Sequence, residues 1–394
     1  MDGDRDNGRV GLPERLEADL ARRVDAVLDD YVGRGAIVGA VTLIARGGRL
    51  AYRRATGFAD RESGRPMTLD TQFRLASVTK PFVTTAALAL AEQGKLDIEA
   101  PVNRWLPGFR PPFADGEAAL TVRHLLTHTS GLGYGFAQGP AGPYCAAGVS
   151  DGIDRPGIDL DENLRRLAAL PLLFRPGSAW QYSLATDVLG AVVAAAAGRP
   201  LPEAVHDLVT GPLGLAGARF GTASPERLAT PYADAAGGPV RMSEPHDLPF
   251  GEGGAIRFSP ARAGDPDAYP SGGAGMVGTP GDALALLETL RAGGGPVLQP
   301  ATVAALTTNA VGDMAVQGIG AGWGFGLGVA VLVDPVAAAT PQSAGTWRWG
   351  GVYGHNWFVD PVERLTVVTF TNTAVAGMNG PIREALRDAV YGTG

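Results

Sequence analysis

The spacing of apolar positions changes along the chain. From Leu16 to Val32 they recur at helical intervals (Leu20, Val24, Val27, Leu28, Tyr31), which predicts an amphipathic helix. Ile37 to Ala45 is then apolar almost throughout and Arg49 to Arg53 forms a second short run, with Gly47-Gly48 between them; this predicts a strand pair about a tight turn. The far end is built alike. Trp323 to Val333, Thr346 to Trp349, Asn356 to Val359 and Leu365 to Thr371 read as strands, and Gly380 to Val390 as a closing helix. One antiparallel sheet built from both ends accounts for all of these runs. Between them, Ala/Leu-rich helical segments such as Leu164 to Leu170 and Asp187 to Ala197 alternate with Gly/Pro-rich loops. The expected organisation is a sheet domain, residues 1–60 with 320–394, and a largely helical inserted region, 61–319.

Within that insertion, Phe82 to Leu90 predicts a buried helix that stops at Gly94. Pro81 lies near its first turn, where a missing N–H costs nothing, so the helix begins close to Ser77. The segment Ser77-Val78-Thr79-Lys80 therefore places a hydroxyl and an amine three residues apart on one helical face. Serine is a poor nucleophile until a neighbour takes its proton, and a desolvated lysine is suited to that. A helix start also favours the negative charge that develops in acyl transfer.

Composition narrows the field. The 394 residues are 45% apolar and 19% charged, which describes a globular chain longer than one simple core usually holds. A net charge of −7 without a basic cluster argues against nucleic acid or an anionic membrane as a partner. Cys145 is the only cysteine, so an intramolecular disulfide and a multi-cysteine metal site are both ruled out. The start, Met1 to Asn7, is polar with no apolar run behind it, and no stretch of about 18 apolar residues occurs; a cytoplasmic enzyme is expected. His124 and His128 have the spacing of a zinc pair but lack the intervening Glu, and all five histidines read as structural. No metal or cofactor is expected.

Two further segments complete a candidate site. Trp180-Gln181-Tyr182-Ser183-Leu184 precedes an apolar helix, and a tyrosine beside an ammonium ion can shuttle a proton to a leaving group. Trp349-Gly350-Gly351 on a strand allows close approach to the main chain, and a backbone N–H there can face that of Ser77 across an oxyanion.

Together, Ser77-Val78-Thr79-Lys80, Tyr182-Ser183-Leu184 and Trp349-Gly350-Gly351 resemble, in order, the three active-site elements of the serine β-lactamase and penicillin-binding-protein superfamily. The likeness is strongest to its esterase branch, the family VIII carboxylesterases. Leu125-Leu126-Thr127-His128-Thr129-Ser130-Gly131-Leu132 is similar to another segment of that superfamily. The resemblance implies a class C β-lactamase-like α+β fold: a central antiparallel sheet flanked by helices, an inserted helical domain, and the site in the cleft between them. It also implies roles. Ser77 is the nucleophile, Lys80 and Tyr182 are the proton-moving groups, and the Ser77 and Val352 N–H groups hold the oxyanion. Trp349, Gly350, Gly351, Tyr134 and Asp187 line or support the substrate site. Which of Lys80 and Tyr182 is the resting base stays open.

Two departures choose among activities. Leu184 stands where β-lactamases and peptidases of the superfamily carry an asparagine, and Trp349-Gly350-Gly351 replaces Lys-Thr-Gly, so the groups that hold a β-lactam are missing. The expectation is a serine carboxylesterase for short-chain esters of small molecules, with acyl transfer to alcohols or deacetylation of cephalosporin side groups as extensions. A β-lactamase, D-amino-acid peptidase or amide hydrolase on the same scaffold is the alternative, and a non-catalytic binding module is disfavoured by the intact Ser, Lys and Tyr.

Overall fold

The computed structural model describes residues 12–113, 119–155, 157–251 and 253–393; the polar stretch 1–7 lies outside them. An eight-stranded antiparallel sheet organises the molecule. Its strands, in chain order, are β1 Gly39–Arg46, β2 Arg49–Asp60, β3 Arg65–Pro66, β4 Trp323–Phe325, β5 Ala330–Leu332, β6 Trp347–Gly351, β7 His355–Asp360 and β8 Leu365–Thr371. They lie in the order β4-β5-β6-β7-β8-β1-β2-β3. Strands from opposite ends of the chain are thus neighbours, with Ala40 opposite Thr371 and Arg46 opposite Leu365. Gly47 and Gly48 both have left-handed φ, 61° and 84°, as a two-residue hairpin turn between β1 and β2 demands.

Both faces of the sheet are covered, which is why β1 reads as a continuous apolar run and not an alternation. On one face lie the N-terminal helix α1, Leu12–Gly33, and the closing helix, Pro381–Tyr391. Leu20, Val24 and Leu28 meet Ile382, Leu386 and Val390 over Ile44 and Val367. The other face, through Val41, Leu43, Trp357 and Val368, joins the main core. At the centre of that core is α2, Thr79–Glu92, in which every residue from Thr79 to Leu90 is buried. A helix enclosed all round shows no amphipathic stripe, and each large apolar side chain so buried contributes about 1.5–3 kcal/mol. Gly94, with φ 69°, follows its C-terminal cap.

One strand of the sequence reading is two. Trp323 to Val333 folds back on itself as the β4–β5 pair, because the chain must clear α2. Gly328 has φ 86°, its N–H donates to the Leu126 carbonyl at 2.8 Å, and a Cβ there would lie 2.5 Å from Thr84 Oγ1. The middle of the chain also contributes to the sheet layer: Pro280–Arg291 packs on β1 and β8. Next to the helices it adds short strands, including the hairpin His246–Phe250/Gly254–Phe258. Among the described residues no single helix is long and apolar enough to cross a membrane. A bent pair, Ala185–Ala197 with Leu201–Thr210, passes by length and composition alone, and its apolar residues Val188, Leu189, Val192 and Val205 are buried in the core.

Candidate active site

Ser77 sits in a single tight turn, Ala76–Val78, between the short strand Phe73–Arg74 and α2. The residue before it, Ala76, is buried and has φ 44°, a left-handed conformation that costs a non-glycine residue about 1–3 kcal/mol. Two other strained residues belong to elements of the same site: His128 at φ 53° and Val375 at φ 65°, whose N–H donates to the Val352 carbonyl at 3.0 Å. The strain is held by close packing. Gly351, at the end of β6, rests so tightly on the nucleophile turn that a Cβ would lie 2.5 Å from the Leu75 carbonyl oxygen. That contact is a structural demand for glycine beyond any approach of substrate, and the next residue, Val352, lines the same cleft as Ser77.

Lys80, one turn into α2, is 1% exposed, and its Nζ has three partners. It donates to Ser77 Oγ at 3.1 Å, to Tyr134 Oη at 3.1 Å and to the Gly273 carbonyl at 2.9 Å. Three acceptors suit the three N–H bonds of an ammonium. Tyr182 Oη is 2.6 Å from Ser77 Oγ, so the serine hydroxyl stands between lysine and tyrosine.

Tyr182 is aimed by its neighbours. His128 Nδ1 lies 3.1 Å from the hydroxyl of the next residue, Ser183, the Gln181 N–H donates to the His128 carbonyl at 2.9 Å, and the His128 and Tyr182 rings are 5.0 Å apart. Burial first, and the Lys80 charge second, hold His128 well below the usual imidazole range, so it is neutral at pH 7. Its role is structural, as is that of His355, pushed down to about 4 by burial, whose Nε2 is 2.8 Å from the Arg74 carbonyl oxygen.

The cleft above Ser77 encloses about 330 Å³, and Ser77, Tyr134, Tyr182, Trp349, Gly350 and Val352 all line it. The Trp349 ring lies 5.1 Å from that of Tyr182 and forms an aromatic wall where a cation was absent from the sequence motif. Tyr134 is closer to the chemistry than its sequence suggested, since its hydroxyl contacts Lys80 directly; burial, then Tyr182, Asp187 and Asp151, raise its pKa well above 10 and keep it a neutral phenol. Gly351 packs against the nucleophile turn and does not face the cleft. Asp187 does not face it either. It lies buried behind Lys80 and accepts from Ser271 Oγ at 2.6 Å, with its carboxyl raised by burial against the opposing pull of Ser271 and Lys80.

Two contributors had no legible signal of their own. Gly273 brings its carbonyl to Lys80, and only glycine fits there, since a Cβ would lie 2.4 Å from Asp187 Oδ2. Asp151 caps the Gly135–Ala137 turn, accepting from the Gly135 and Phe136 N–H groups at 2.7 and 2.9 Å, and so fixes the loop that carries Tyr134. Burial pushes its carboxyl up to about 7 against those two hydrogen bonds. Among the described residues no group of three or more His, Cys, Asp or Glu is placed to hold a metal.

A helix-covered antiparallel sheet with a serine, a buried lysine and a tyrosine converging beside its strand β6 defines the active-site-serine acyl-transfer class. The chain belongs to the beta-lactamase family, whose model matches residues 24–391. It is 55% identical over 377 residues to Esterase EstB of Burkholderia gladioli, covering 95% of this chain and 96% of that one. The solved structure of EstCE1, described as a hydrolase with promiscuous acyltransferase activity, superposes with a TM-score of 0.92 at 48% identity over 96% of this chain and all of the other. A penicillin-binding protein from Bacillus halodurans shares the fold alone, at a TM-score of 0.69 and 21% identity over 94% of this chain and 98% of its own.

Proposed function

We propose that the protein is a serine carboxylesterase that hydrolyses short-chain carboxylic esters through an acyl-enzyme on Ser77. The observation that carries the reading is the Lys80–Ser77–Tyr182 contact set opening into a cleft walled by Trp349. Ser77 Oγ attacks the ester carbonyl carbon while its proton passes to the oxygen of Tyr182, which takes part in this step as the phenolate and becomes the phenol, and the carbonyl oxygen gains negative charge between the Ser77 and Val352 N–H groups. Lys80 serves as donor to the hydroxyls of Ser77 and Tyr134, which favours Tyr182 as the group that receives the proton. Collapse of the intermediate breaks the ester C–O bond, and the departing alkoxide takes the proton back from Tyr182. Water then attacks the acyl-enzyme by the same route and releases the carboxylic acid.

An alcohol that enters in place of water yields a new ester, and the acyltransferase activity in the description of EstCE1 supports that extension. In this reading the sheet part, residues 1–60 with 320–394, and the insertion 61–319 form the two walls of the reaction cleft. The test is intact mass after brief exposure to a fluorophosphonate, followed by peptide mapping. One adduct, on Ser77, is expected; no adduct, or one elsewhere, overturns the reading.

A further inference from the structure

Tyr134 reaches Lys80 from a turn whose donors converge on one side chain. Its hydroxyl accepts from Lys80 at 3.1 Å, its ring stacks on that of Phe136 at 4.7 Å, and both residues line the cleft. The N–H groups of Gly135 and Phe136 both turn to Asp151, one to each carboxyl oxygen, at 2.7 and 2.9 Å. A Cβ on Gly135 would lie 3.1 Å from Asp151 Oδ2, so the carboxyl is seated directly on the turn. The carbonyls of the turn meet other groups. The Gly135 oxygen accepts from Cys145 Sγ at 3.7 Å, and the Phe136 oxygen lies where a Cβ on Gly254 would come within 2.1 Å of it.

Asp151 itself lines the cleft, and its surroundings supply no counterion. The charges that act on it are two more carboxylates, Asp154 and Asp187. Tyr134, Tyr144 and Cys145 face it as neutral groups, each raised by burial first and by the Asp151 charge among the later causes. Arg257, which acts on Cys145, is taken by Asp247 through two hydrogen bonds of 2.8 Å. Burial first, and the like charges last, bring the Asp151 carboxyl to about 7 against the pull of the two N–H groups. A carboxylate accepts on both oxygens, whereas the acid turns one of them into an O–H donor. The neutral form therefore holds one N–H of the turn well and the other poorly.

We propose that Asp151 is a positioning residue for acyl transfer: its carboxylate form holds Tyr134 on Lys80, its acid form loosens that contact, and the rate of attack by Ser77 follows its charge. The path is continuous. It runs from Asp151 to the Gly135 and Phe136 N–H groups, from the turn to Tyr134 Oη, and from there to Lys80 Nζ, which donates to Ser77 Oγ at 3.1 Å. A lysine that loses one of three acceptors is free to rotate its remaining donors, and the one aimed at Ser77 is no longer fixed. The inference rests on the esterase reading of Ser77 and adds to it a group that hydrogen-bonds to neither Ser77 nor Lys80.

The experiment follows kcat for p-nitrophenyl butyrate between about pH 5.5 and about pH 8.5 in the wild type, Asp151→Asn, Tyr134→Phe and the double variant. An asparagine offers one acceptor and one donor at every pH, so Asp151→Asn stands in for the acid form. The wild-type rate divided by that of Asp151→Asn should be near one at the acid end. It should rise through about pH 7 to about three- to tenfold at the alkaline end, as partial loss of one hydrogen bond to a charged acceptor implies. Titration of Lys80 and Tyr182 is common to both proteins and leaves the ratio alone. Without the Tyr134 hydroxyl the charge has no route to Lys80, so the ratio of Tyr134→Phe to the double variant should stay near one throughout. If Asp151→Asn does not fold, the wild type divided by Tyr134→Phe carries the same rise and decides the matter.

A ratio that is constant with pH, however large, would make Asp151 a support for the fold only and overturn the inference. A rise that persists in the Tyr134→Phe background would overturn it too, because the charge would then act by another route. Either result leaves the esterase standing. Absence of wild-type turnover together with absence of the Ser77 adduct would instead remove the esterase reading, and this inference with it.

Discussion

Around Lys80 each donor has an acceptor, whereas on the cleft wall that carries Asn356 and Asn379 neither side chain has a hydrogen-bond partner among the described residues. The floor of the cleft is built from the start of a fully buried helix, three strained backbone positions and glycines that tolerate no Cβ, so its atoms have one available arrangement. The wall is built from strand and loop residues that no such set of contacts holds in place. The contrast separates two tasks. Chemistry needs groups positioned beforehand at the floor, where a shift of an ångström is expensive, and selectivity resides in a wall that can vary without disturbing that floor.

Substitutions at the floor should therefore cost far more than changes at the wall. Ser77→Ala should lower kcat for p-nitrophenyl butyrate by at least about 10³-fold, because loss of the nucleophile leaves only binding and oxyanion contacts. Retention of more than a few per cent of the rate with an unchanged melting curve would place the nucleophile elsewhere. Lys80→Ala and Tyr182→Phe should each reduce kcat by on the order of 10²-fold or more. Since both contact the same hydroxyl, the double variant should lose much less than the product of the two single losses; full multiplication would mean that they act independently.

The wall is probed by substrate choice. With Trp349 and Leu184 where a cation and an amide would hold a β-lactam, kcat/KM for p-nitrophenyl butyrate should exceed that for benzylpenicillin by at least about 10²-fold, two missing hydrogen bonds to charged or polar groups being sufficient for that. Side-by-side kinetics with product masses will check it, and ring opening at the ester rate would show that other cleft residues replace the missing groups.

The smallest effect is one of pH. Asp151 has its folded pKa raised to about 7, so the stabilisation linked to its proton is complete below the unfolded value and is lost as pH rises through about 7. Chemical denaturation at several pH values should show the stability of the wild type falling between about pH 4 and pH 7 relative to Asp151→Asn, which cannot ionise. Parallel curves would mean that the carboxylate is ionised throughout.

Much of the floor was legible because its groups lie close in sequence or in short ordered motifs. Ser77 and Lys80 share one helical turn, Tyr182 precedes an apolar helix, and the Gly350-Gly351 pair marks a strand that something approaches closely. The reason for Gly351 was legible only in part, since its partner, the Leu75 carbonyl, lies far away in the chain. Gly273 and Asp151 carry no local pattern at all. A backbone carbonyl has no residue type to announce it, and an aspartate that caps a turn sixteen residues upstream looks like any surface acid. The break between β4 and β5 was hidden for a similar reason, because Gly328 is shaped by Thr84 of a distant helix.

The pairing of β1 with β8 has a consequence for how the molecule is made. Thr42 and Thr369 share a hydrogen bond across 327 residues of chain, so the central strand pair cannot form until nearly the whole polypeptide has left the ribosome. Until then Val41, Leu43 and Ile44 present an apolar strand edge with no partner, the kind of surface that seeds aggregation. Chains cut short before Leu365 should accumulate in the insoluble fraction although every residue that touches Ser77 has already been synthesised.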